Sequence, residues 1–266
     1  MQQVSIVILT IKGSKDTAQC LNSLANVKTA AWLDWQVIDN TGQGVAVGIN
    51  KGIMKAVADK ADYVMLLNND TVVDVQFIDN MLAVSADIVT PKVYHWGSSC
   101  LQPYLNTLNM WTGELVHVPG LGKMVVDTGQ YDRVKTTGWV SGCCVLIKRE
   151  VFEKVGLFDE QYGMYWEDID FVYRAVKAGF NIGLAPDAKI WHKGGQATTA
   201  LGKVRAYTRN KIVFMRKHAT KLQFAVFVLY YFGFRLWAML LYYTAITGDW
   251  QYEKAILGGT YEGFVR

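Results

Sequence analysis

The 266-residue chain is 51% hydrophobic and 13% aromatic, which excludes disorder and suits one large α/β domain, or a smaller one with an appendage. Its net charge of +4 is unevenly spread: residues 1–187 hold 15 Lys+Arg against 20 Asp+Glu, net −5, while residues 188–266 hold 12 against 3, net +9. No acidic residue falls between Asp187 and Asp249, so a mildly acidic body carries a basic, aromatic tail that suits an anionic partner. The opening "MQQVSIVILT" lacks the basic region and small-residue cleavage site of a signal peptide and reads as a strand. Cys20, Cys100, Cys143 and Cys144 show no CxxC spacing, and the adjacent Cys143-Cys144 pair reads as ordinary strand residues in a reducing, cytosolic setting.

In chain order, "VSIVILT" (Val4 to Thr10) is a β-branched run expected to form a buried parallel strand. After a turn at Gly13-Ser14, Ala18, Leu21, Leu24 and Ala25 recur at helical spacing. "WQVID" (Trp35 to Asp39) is a second strand, ending in Asp39-Asn40. In "GVAVGINKGIMKAV", Gly44, Gly48 and Gly52 lie four apart and share one helix face. Each costs roughly 1 kcal/mol against alanine, so a ligand or the sheet is expected to approach that backbone closely. "DYVMLL" is the third strand, and the β-α-β-α-β order places Thr10, Asp39 and Asn68-Asn69-Asp70 at three strand carboxyl ends. Open α/β sheets bind ligands there.

Residues 93–135 read as loop-rich and are expected to line the acceptor pocket. A strand from Val140 to Ile147 follows, then a short helix closed by Gly156. "YWEDIDFVYRAVKAGF" is the cleanest helix: Ile169, Val172, Tyr173 and Val176 form its apolar stripe, Asp170 and Arg174 are spaced i,i+4, and Gly179 stops it. Glu167 and Asp168 sit in its first turn, where the helix dipole favours carboxylates. "NIGLAPDAKIWHKGG" adds a strand, a turn and His192.

Taken singly, these side chains have plain readings beside the chemical ones. Asn68-Asn69-Asp70 suits an Asn/Asp turn or, through Asp70, a divalent-cation site. Asp168 suits a helix N-terminal acid or a general base. His192 suits a structural histidine or a ligand.

Their joint order resembles the family 2 glycosyltransferases of the GT-A fold. The resemblance covers about residues 3 to 218 and rests on "VSIVILT", "DN", "GVAVGINKGI", "YVMLLNNDTVV", "IWHKGG" and, most specifically, the long "REVFEKVGLFDE…YWEDIDFVYRA" block. Within the family, the chain looks most like bacterial rhamnosyltransferase-type enzymes of surface-polysaccharide synthesis. The resemblance implies a mostly parallel, Rossmann-like sheet flanked by helices, and an inverting sugar transfer from a nucleotide-diphosphate donor. It implies donor contacts from Thr10, Asp39, Asn50, Asn68 and Asn69, with Asp39 reading the base. Asp70, at the DxD position, and His192 would hold a divalent cation, and the imidazole favours Mn²⁺ over Mg²⁺. Asp168 would be the general base, with Glu167 beside it. Two features depart from the pattern. Thr10-Ile11-Lys12 stands where the family has "TYN", and the stretch between "DN" and the glycine helix is nearly absent, so Asp39 matches either of two strands. Asn68 also replaces the first acid of the DxD motif, so metal binding is expected to lean on the donor's own phosphates.

The tail carries Lys203, Arg205, Arg209, Lys211, Arg216, Lys217 and Lys221, then "FAVFVLYYFGF", Arg235 and "LWAMLLYY". Each apolar stretch is short of the ~20 residues that span a bilayer, and fusing them buries Arg235 at about 2.5–3.5 kcal/mol. Interfacial helices on an anionic membrane surface, over residues 203–250, are the expectation. A true span and a soluble packing or homodimer surface are the alternatives, and no nucleic-acid-binding fold accompanies the charge. Residues 1–202 are therefore read as the catalytic domain, with a nucleotide-sugar half (1–92) and an acceptor/base half (93–202), and 203–266 as a helical membrane-interface appendage. The expected activity is transfer of a sugar, rhamnose from dTDP-rhamnose, to a lipid-linked or oligosaccharide acceptor at the cytoplasmic face of the membrane. The competing readings are a UDP-sugar transferase of the same family, a nucleotidyltransferase, and a membrane-docked nucleotide-sugar-binding module without turnover.

Overall fold

The computed structural model describes residues 1–12, 14–102, 105–117, 125–133, 139–140, 142–194 and 198–265, with backbone alone at 105, 106, 117, 139 and 140. Gly13 of the expected turn, Ser141 and Gly195 of the quoted motifs, and part of the 93–135 stretch lie outside the described residues.

The first elements are β1 (Gln3–Thr10), α1 (Asp16–Ala25), β2 (Trp32–Asp39), α2 (Val45–Ala58), β3 (Tyr63–Asn68), β4 (Thr71–Val73) and α3 (Phe77–Leu82). Then come β5 (Ile88–His95), β6 (Cys100–Leu101), β7 (Leu105–Asn109), β8 (Glu114–His117), β9 (Val125–Val126) and β10 (Trp139–Val140). They are followed by β11 (Cys144–Lys148), α4 (Arg149–Val155), α5 (Glu167–Lys177) and β12 (Ile182–His192). The chain closes with α6 (Ala200–His218), α7 (Lys221–Tyr230), α8 (Leu236–Thr247) and α9 (Gln251–Val265), and Tyr231–Arg235 between α7 and α8 is wound as a π-helix.

The chain forms two compact units. The first combines Met1–Thr107, His117–Gly163 and Glu167–Gly194; the second combines Leu108–Val116, Met164–Trp166 and Gly195–Arg266. In the first unit the main sheet runs β2-β1-β3-β11-β5-β12-β4. β1 pairs parallel with β2 and β3, and β5 pairs parallel with β12. Val4, Ile6, Val7 and Ile8 of β1 and Val64 to Leu67 of β3 are buried, and this is why those runs are apolar on both faces.

The sheet is mixed, since β11 runs antiparallel to both β3 and β5. The cause is topological. β5 ends at the carboxyl edge, so a chain that stays at that edge and re-enters at β11 must run back the other way. The expected strand from Val140 to Ile147 is accordingly broken: Gly142 and Cys143 form a turn between β10 and β11. Because β11 is reversed, its first residues meet the carboxyl ends of β1, β2, β3, β5 and β12 at one edge.

The glycine face of α2 has its explanation in the same unit. A Cβ on Gly52 would lie 2.3 Å from Val7 Cγ1, and one on Gly48 would lie 2.4 Å from Asn40 Oδ1. The close approach is to the sheet.

In the second unit α6 and α9 pack closely because Gly259 and Gly263 face α6: a Cβ on Gly259 would sit 2.5 Å from the Arg205 carbonyl oxygen. Lys211 Nζ and Arg235 Nε both lie 2.8 Å from Glu114 Oε1, so the arginine inside the apolar run has a counter-charge. Residues Lys221–Thr247 form one helical stretch of 27 residues with mean hydropathy 1.8, long and apolar enough to cross a membrane by length and composition. Only 17% of its apolar window is buried, and Leu229, Phe234, Trp237, Leu241 and Ile246 are exposed on it.

Candidate active site

The turn after β3 delivers Asp70 to His192, because β4 pairs antiparallel with β12 and sets Thr71 opposite His192. Asp70 Oδ1 lies 3.2 Å from His192 Nε2, and Asp70 Oδ2 accepts the Gly194 N–H at 3.1 Å. Burial pushes the Asp70 carboxyl up, but the His192 hydrogen bond and charge and the Gly194 N–H outweigh it and hold the group below its ordinary value. Asn68 Nδ2 stands 3.4 Å from the same His192 nitrogen. Asn68 thus takes part in the corner without adding charge.

Beside this corner, Asn69 Nδ2 donates to Ser14 Oγ and Thr17 Oγ1, each at 2.9 Å, and Thr17 Oγ1 lies 2.7 Å from Thr10 Oγ1. Thr10 and Asn69 are therefore joined through the start of α1. Thr10 is in register with Asp39, and Asp39 is exposed, its Oδ1 accepting from the Thr41 N–H at 2.9 Å and from Thr41 Oγ1 at 2.6 Å. Those Thr41 bonds hold its carboxyl below the ordinary range. Asn50 is different. It is 2% exposed, its Nδ2 donates to the Phe158 carbonyl oxygen and Glu160 Oε1, and its Oδ1 accepts the Phe158 N–H. Its amide is spent on fastening α2 to the segment ahead of α5, and it is not brought together with the strand-end residues.

The acidic pair opens α5, whose frame is a buried network. Arg174 Nε donates to Asp170 Oδ2 at 2.7 Å, Tyr162 Oη to Asp170 Oδ1 at 3.1 Å, and the Arg174 guanidinium to the carbonyls of Val155 and Leu157. Phe158 stacks on Phe171 with centroids 4.4 Å apart. On this frame Glu167 points inward: it is 8% exposed, and its Oε2 has no hydrogen-bond partner among the described residues. Burial first, and the neighbouring Asp168 second, push its pKa well above the ordinary value, which favours the neutral acid.

Asp168 is half-buried, and its Oδ2 accepts the Gly142 N–H at 3.3 Å. One residue on, the Cys143 carbonyl accepts the Asn68 N–H at 2.8 Å. The two-residue turn before β11 therefore connects the base candidate to the strand that carries Asn68-Asn69-Asp70.

Sequence reasoning missed three contributors. Gln102 grips His192, while Gly142 and Gly194 act through backbone N–H groups that leave no side-chain signature. Asn210 of α6, fully buried, donates to the carbonyls of Met164 at 2.9 Å and Tyr165 at 2.7 Å within the second unit. It holds a turn in which Tyr165 (φ 67°) and Trp166 (φ 75°) are both left-handed, immediately before Glu167.

The donor set fits a hard or borderline divalent cation. A carboxylate and an imidazole nitrogen face each other at one corner, and the space between two electron-pair donors is filled by a proton or by a metal. Among the described residues no group of three or more His, Cys, Asp or Glu could hold a metal ion, and Asp70 and His192 form a two-donor corner.

Comparison with known proteins agrees with this architecture. Residues 2–211 match the model of the glycosyltransferase-like family 2. A 64-residue stretch is 42% identical to an N-acetylglucosaminyl-diphospho-decaprenol L-rhamnosyltransferase of Mycobacterium tuberculosis, over 24% of this chain and 21% of that protein. Longer matches, each 23% identical over 69% of this chain and 64% of the relative, are to a low-salt glycan biosynthesis hexosyltransferase of Haloferax volcanii and a dTDP-rhamnosyl transferase of Shigella flexneri. The matches cover less than two thirds of each of these relatives. Among solved structures, GalNAc-T7 with UDP, GalNAc and Mn²⁺ aligns with TM-score 0.57 at 13% identity, over 97% of this chain and 54% of that one. Staphylococcus aureus TarS aligns with TM-score 0.53 at 11% identity, over 97% of this chain and 48% of that one. The fold is that of the GT-A glycosyltransferases, and the chain belongs to the glycosyltransferase-like family 2.

Proposed function

We propose that the chain is an inverting glycosyltransferase that moves rhamnose from dTDP-rhamnose to a hydroxyl of a lipid-linked saccharide in cell-surface polysaccharide synthesis. The observation that carries this reading is the turn at Gly142-Cys143, which places Asp168 beside the strand end that bears Asn68-Asn69-Asp70. Two of the relatives named above are rhamnosyltransferases, one of a diphospho-decaprenol acceptor and one of a dTDP-rhamnosyl donor, and these names motivate the donor and acceptor.

The chemistry follows from the placement. The Asp168 carboxylate takes the proton of an acceptor hydroxyl, and the hydroxyl oxygen attacks the anomeric carbon of the donor. The bond from that carbon to the diphosphate breaks, and its electron pair leaves on the diphosphate oxygen. A single in-line displacement inverts the anomeric centre, and no sugar is attached to the protein. Asp70 and His192 would hold the divalent cation, with Mn²⁺ favoured, and when bound it neutralises the negative charge that develops on the leaving diphosphate. The raised pKa of Glu167 favours its neutral form, which puts no second negative charge beside Asp168 and can donate a hydrogen bond. Exposed Asp39 is available to a base ring, while Thr10, Asn68 and Asn69 line the approach to the phosphates.

Replacing Asp168 by Asn should cut kcat by about 10²–10⁴-fold, the range for losing a general base, and leave nucleotide affinity unchanged by calorimetry. Equal turnover in mutant and wild type would sink the assignment. Thermal-shift screening of dTDP-, UDP- and GDP-sugars with and without Mn²⁺ tests the donor, and preferential stabilisation by a UDP-sugar rejects rhamnose.

The second unit is the membrane-facing part on this reading. Its exposed Leu229, Trp237 and Leu241 and its basic residues suit the anionic cytoplasmic surface, where a lipid-linked acceptor is held. Paired Trp237→Glu and Leu241→Glu changes should abolish sedimentation with anionic vesicles and spare turnover on a soluble acceptor. Undiminished sedimentation of that variant rejects the docking face.

A further inference from the structure

His192 ends β12, and a single residue grips both its backbone and its ring. Gln102 Nε2 donates to the His192 carbonyl oxygen at 2.7 Å, and Gln102 Oε1 stands 3.0 Å from His192 Nδ1. The first bond dictates the second. A carbonyl oxygen only accepts, so the amide N–H₂ group must face it, and the Gln102 oxygen is thereby turned toward the ring. That oxygen also only accepts, so Nδ1 must carry a proton. In the neutral imidazole a proton on Nδ1 leaves the lone pair on Nε2.

Nε2 is the atom that faces the Asp70 carboxylate at 3.2 Å: a proton there makes the ring a cation paired with Asp70, and a divalent cation would take that proton's place on the lone pair. The grip is itself anchored to the sheet: the Gln102 N–H donates to the Val93 carbonyl at 2.8 Å, Leu101 pairs with Tyr94, and β5 pairs with β12 up to His95 opposite His192. The chain therefore fixes the ring's protonation pattern from the side away from Asp70.

Resting on the reading of Asp70 and His192 as the cation's protein ligands, we propose that Gln102 is a positioning residue that fixes the Nδ1–H tautomer of His192 and so presents the Nε2 lone pair to a divalent cation. Without Gln102, nothing else described at Nδ1 selects that tautomer, and an Nε2–H bonded to Asp70 Oδ1 becomes the competing state. In that state an N–H points where the cation would sit, and the carboxylate is engaged by it. Outer partners of this kind change metal affinity by about 10–100-fold.

The test uses full-length protein with ¹⁵N-labelled histidine, read by long-range ¹H–¹⁵N correlation at a pH of about 8, where imidazole is ordinarily neutral. His192→Ala assigns the signal by its loss. Wild type should show His192 protonated at Nδ1, and Gln102→Ala should show protonation at Nε2. Mn²⁺ affinity, measured by electron paramagnetic resonance with dTDP present, should fall about 10–100-fold in Gln102→Ala. Gln102→Glu keeps an acceptor at Nδ1, so it should retain the wild-type tautomer and most of the Mn²⁺ affinity. This also keeps the test decisive should the alanine variant fail to fold.

A wild-type ring protonated at Nε2 alone overturns the proposal. So does Mn²⁺ affinity that is unchanged in Gln102→Ala yet weakened in His192→Ala. Affinity unchanged in His192→Ala would instead remove the metal-ligand reading on which the proposal rests.

Discussion

Two acidic corners of the first unit are both sheltered from water, Glu167 the more deeply, and end in opposite states. The Asp70 side chain is 13% exposed and its carboxyl is held below the ordinary range; Glu167 is 8% exposed and its carboxyl is pushed well above. Burial opposes ionisation at both, and more strongly at the deeper Glu167. The company differs as well. Asp70 has an imidazole and the Gly194 N–H, whereas Glu167 has a neighbouring acid and, among the described residues, no hydrogen-bond partner at Oε2. A corner that favours the charged carboxylate and a corner that favours the neutral acid are thus made from the same functional group.

The first way to break this contrast is to remove the charge at the partnered corner. Asp70→Asn keeps the shape and leaves His192 facing an amide. The expected loss in kcat/KM is about 100-fold or more, the upper end of what altering a metal-site partner costs, with a higher Mn²⁺ concentration needed for half-maximal rate. Titration of the rate against Mn²⁺ checks this, and an unchanged Mn²⁺ requirement takes Asp70 out of the site.

A smaller effect is expected at the other corner from Gly142→Ala. The new Cβ would sit 3.2 Å from Asp168 Oδ2 and 3.3 Å from Asp168 Cβ, so the base must shift by a few tenths of an ångström. A displacement of 1 Å costs about 100-fold, so a loss in kcat of roughly tenfold with unchanged donor KM is expected from this one. Steady-state kinetics decide it, and a change in donor KM alone would mean that the turn serves the nucleotide rather than the base.

What the sequence made legible follows from how each part is encoded. β1, β3 and α5 were visible because strands buried on both faces are apolar throughout and an amphipathic helix repeats every 3.6 residues. The cost of Gly48 and Gly52 was visible too, with a ligand or the sheet as its expected cause, and the fold decides for the sheet: Val7 of β1 meets Gly52, and Asn40, at the end of β2, meets Gly48. β5 was hidden inside a stretch read as loop, since "IVTPKVYH" carries Pro91 and Lys92, and the buried Lys92 is paired with Asp127 at 2.8 Å and with Asp132. The single strand from Val140 to Ile147 failed because nothing local shows that Gly142 must turn toward Asp168. Asp70, Asp168 and His192 were singled out through motif order, and Gln102, Gly142 and Gly194 were not, because two of them act through backbone N–H groups. Asn50 is the reverse case: a polar residue on a glycine-rich helix reads as a ligand group, and its amide is engaged by Phe158 and Glu160, more than a hundred residues away.

The subtlest test is made at Glu167 itself and reads stability instead of rate. Its folded pKa lies above its unfolded one, so the native state keeps its proton at pH values where the unfolded chain has lost it. The linkage sign follows: the contribution of the protonated group is complete below the ordinary Glu range near pH 4.5 and is lost as pH rises through the folded pKa. Glu167→Gln has the same shape and no proton to lose. Relative to wild type, its Tm should therefore be similar near pH 4 and increasingly higher toward pH 8, in thermal melts across that window. Its kcat should change far less than that of Asp168→Asn, since a neutral amide replaces a neutral acid. A Tm difference that is constant across the window would mean Glu167 is ionised in the folded protein, and the two corners would then differ in geometry alone.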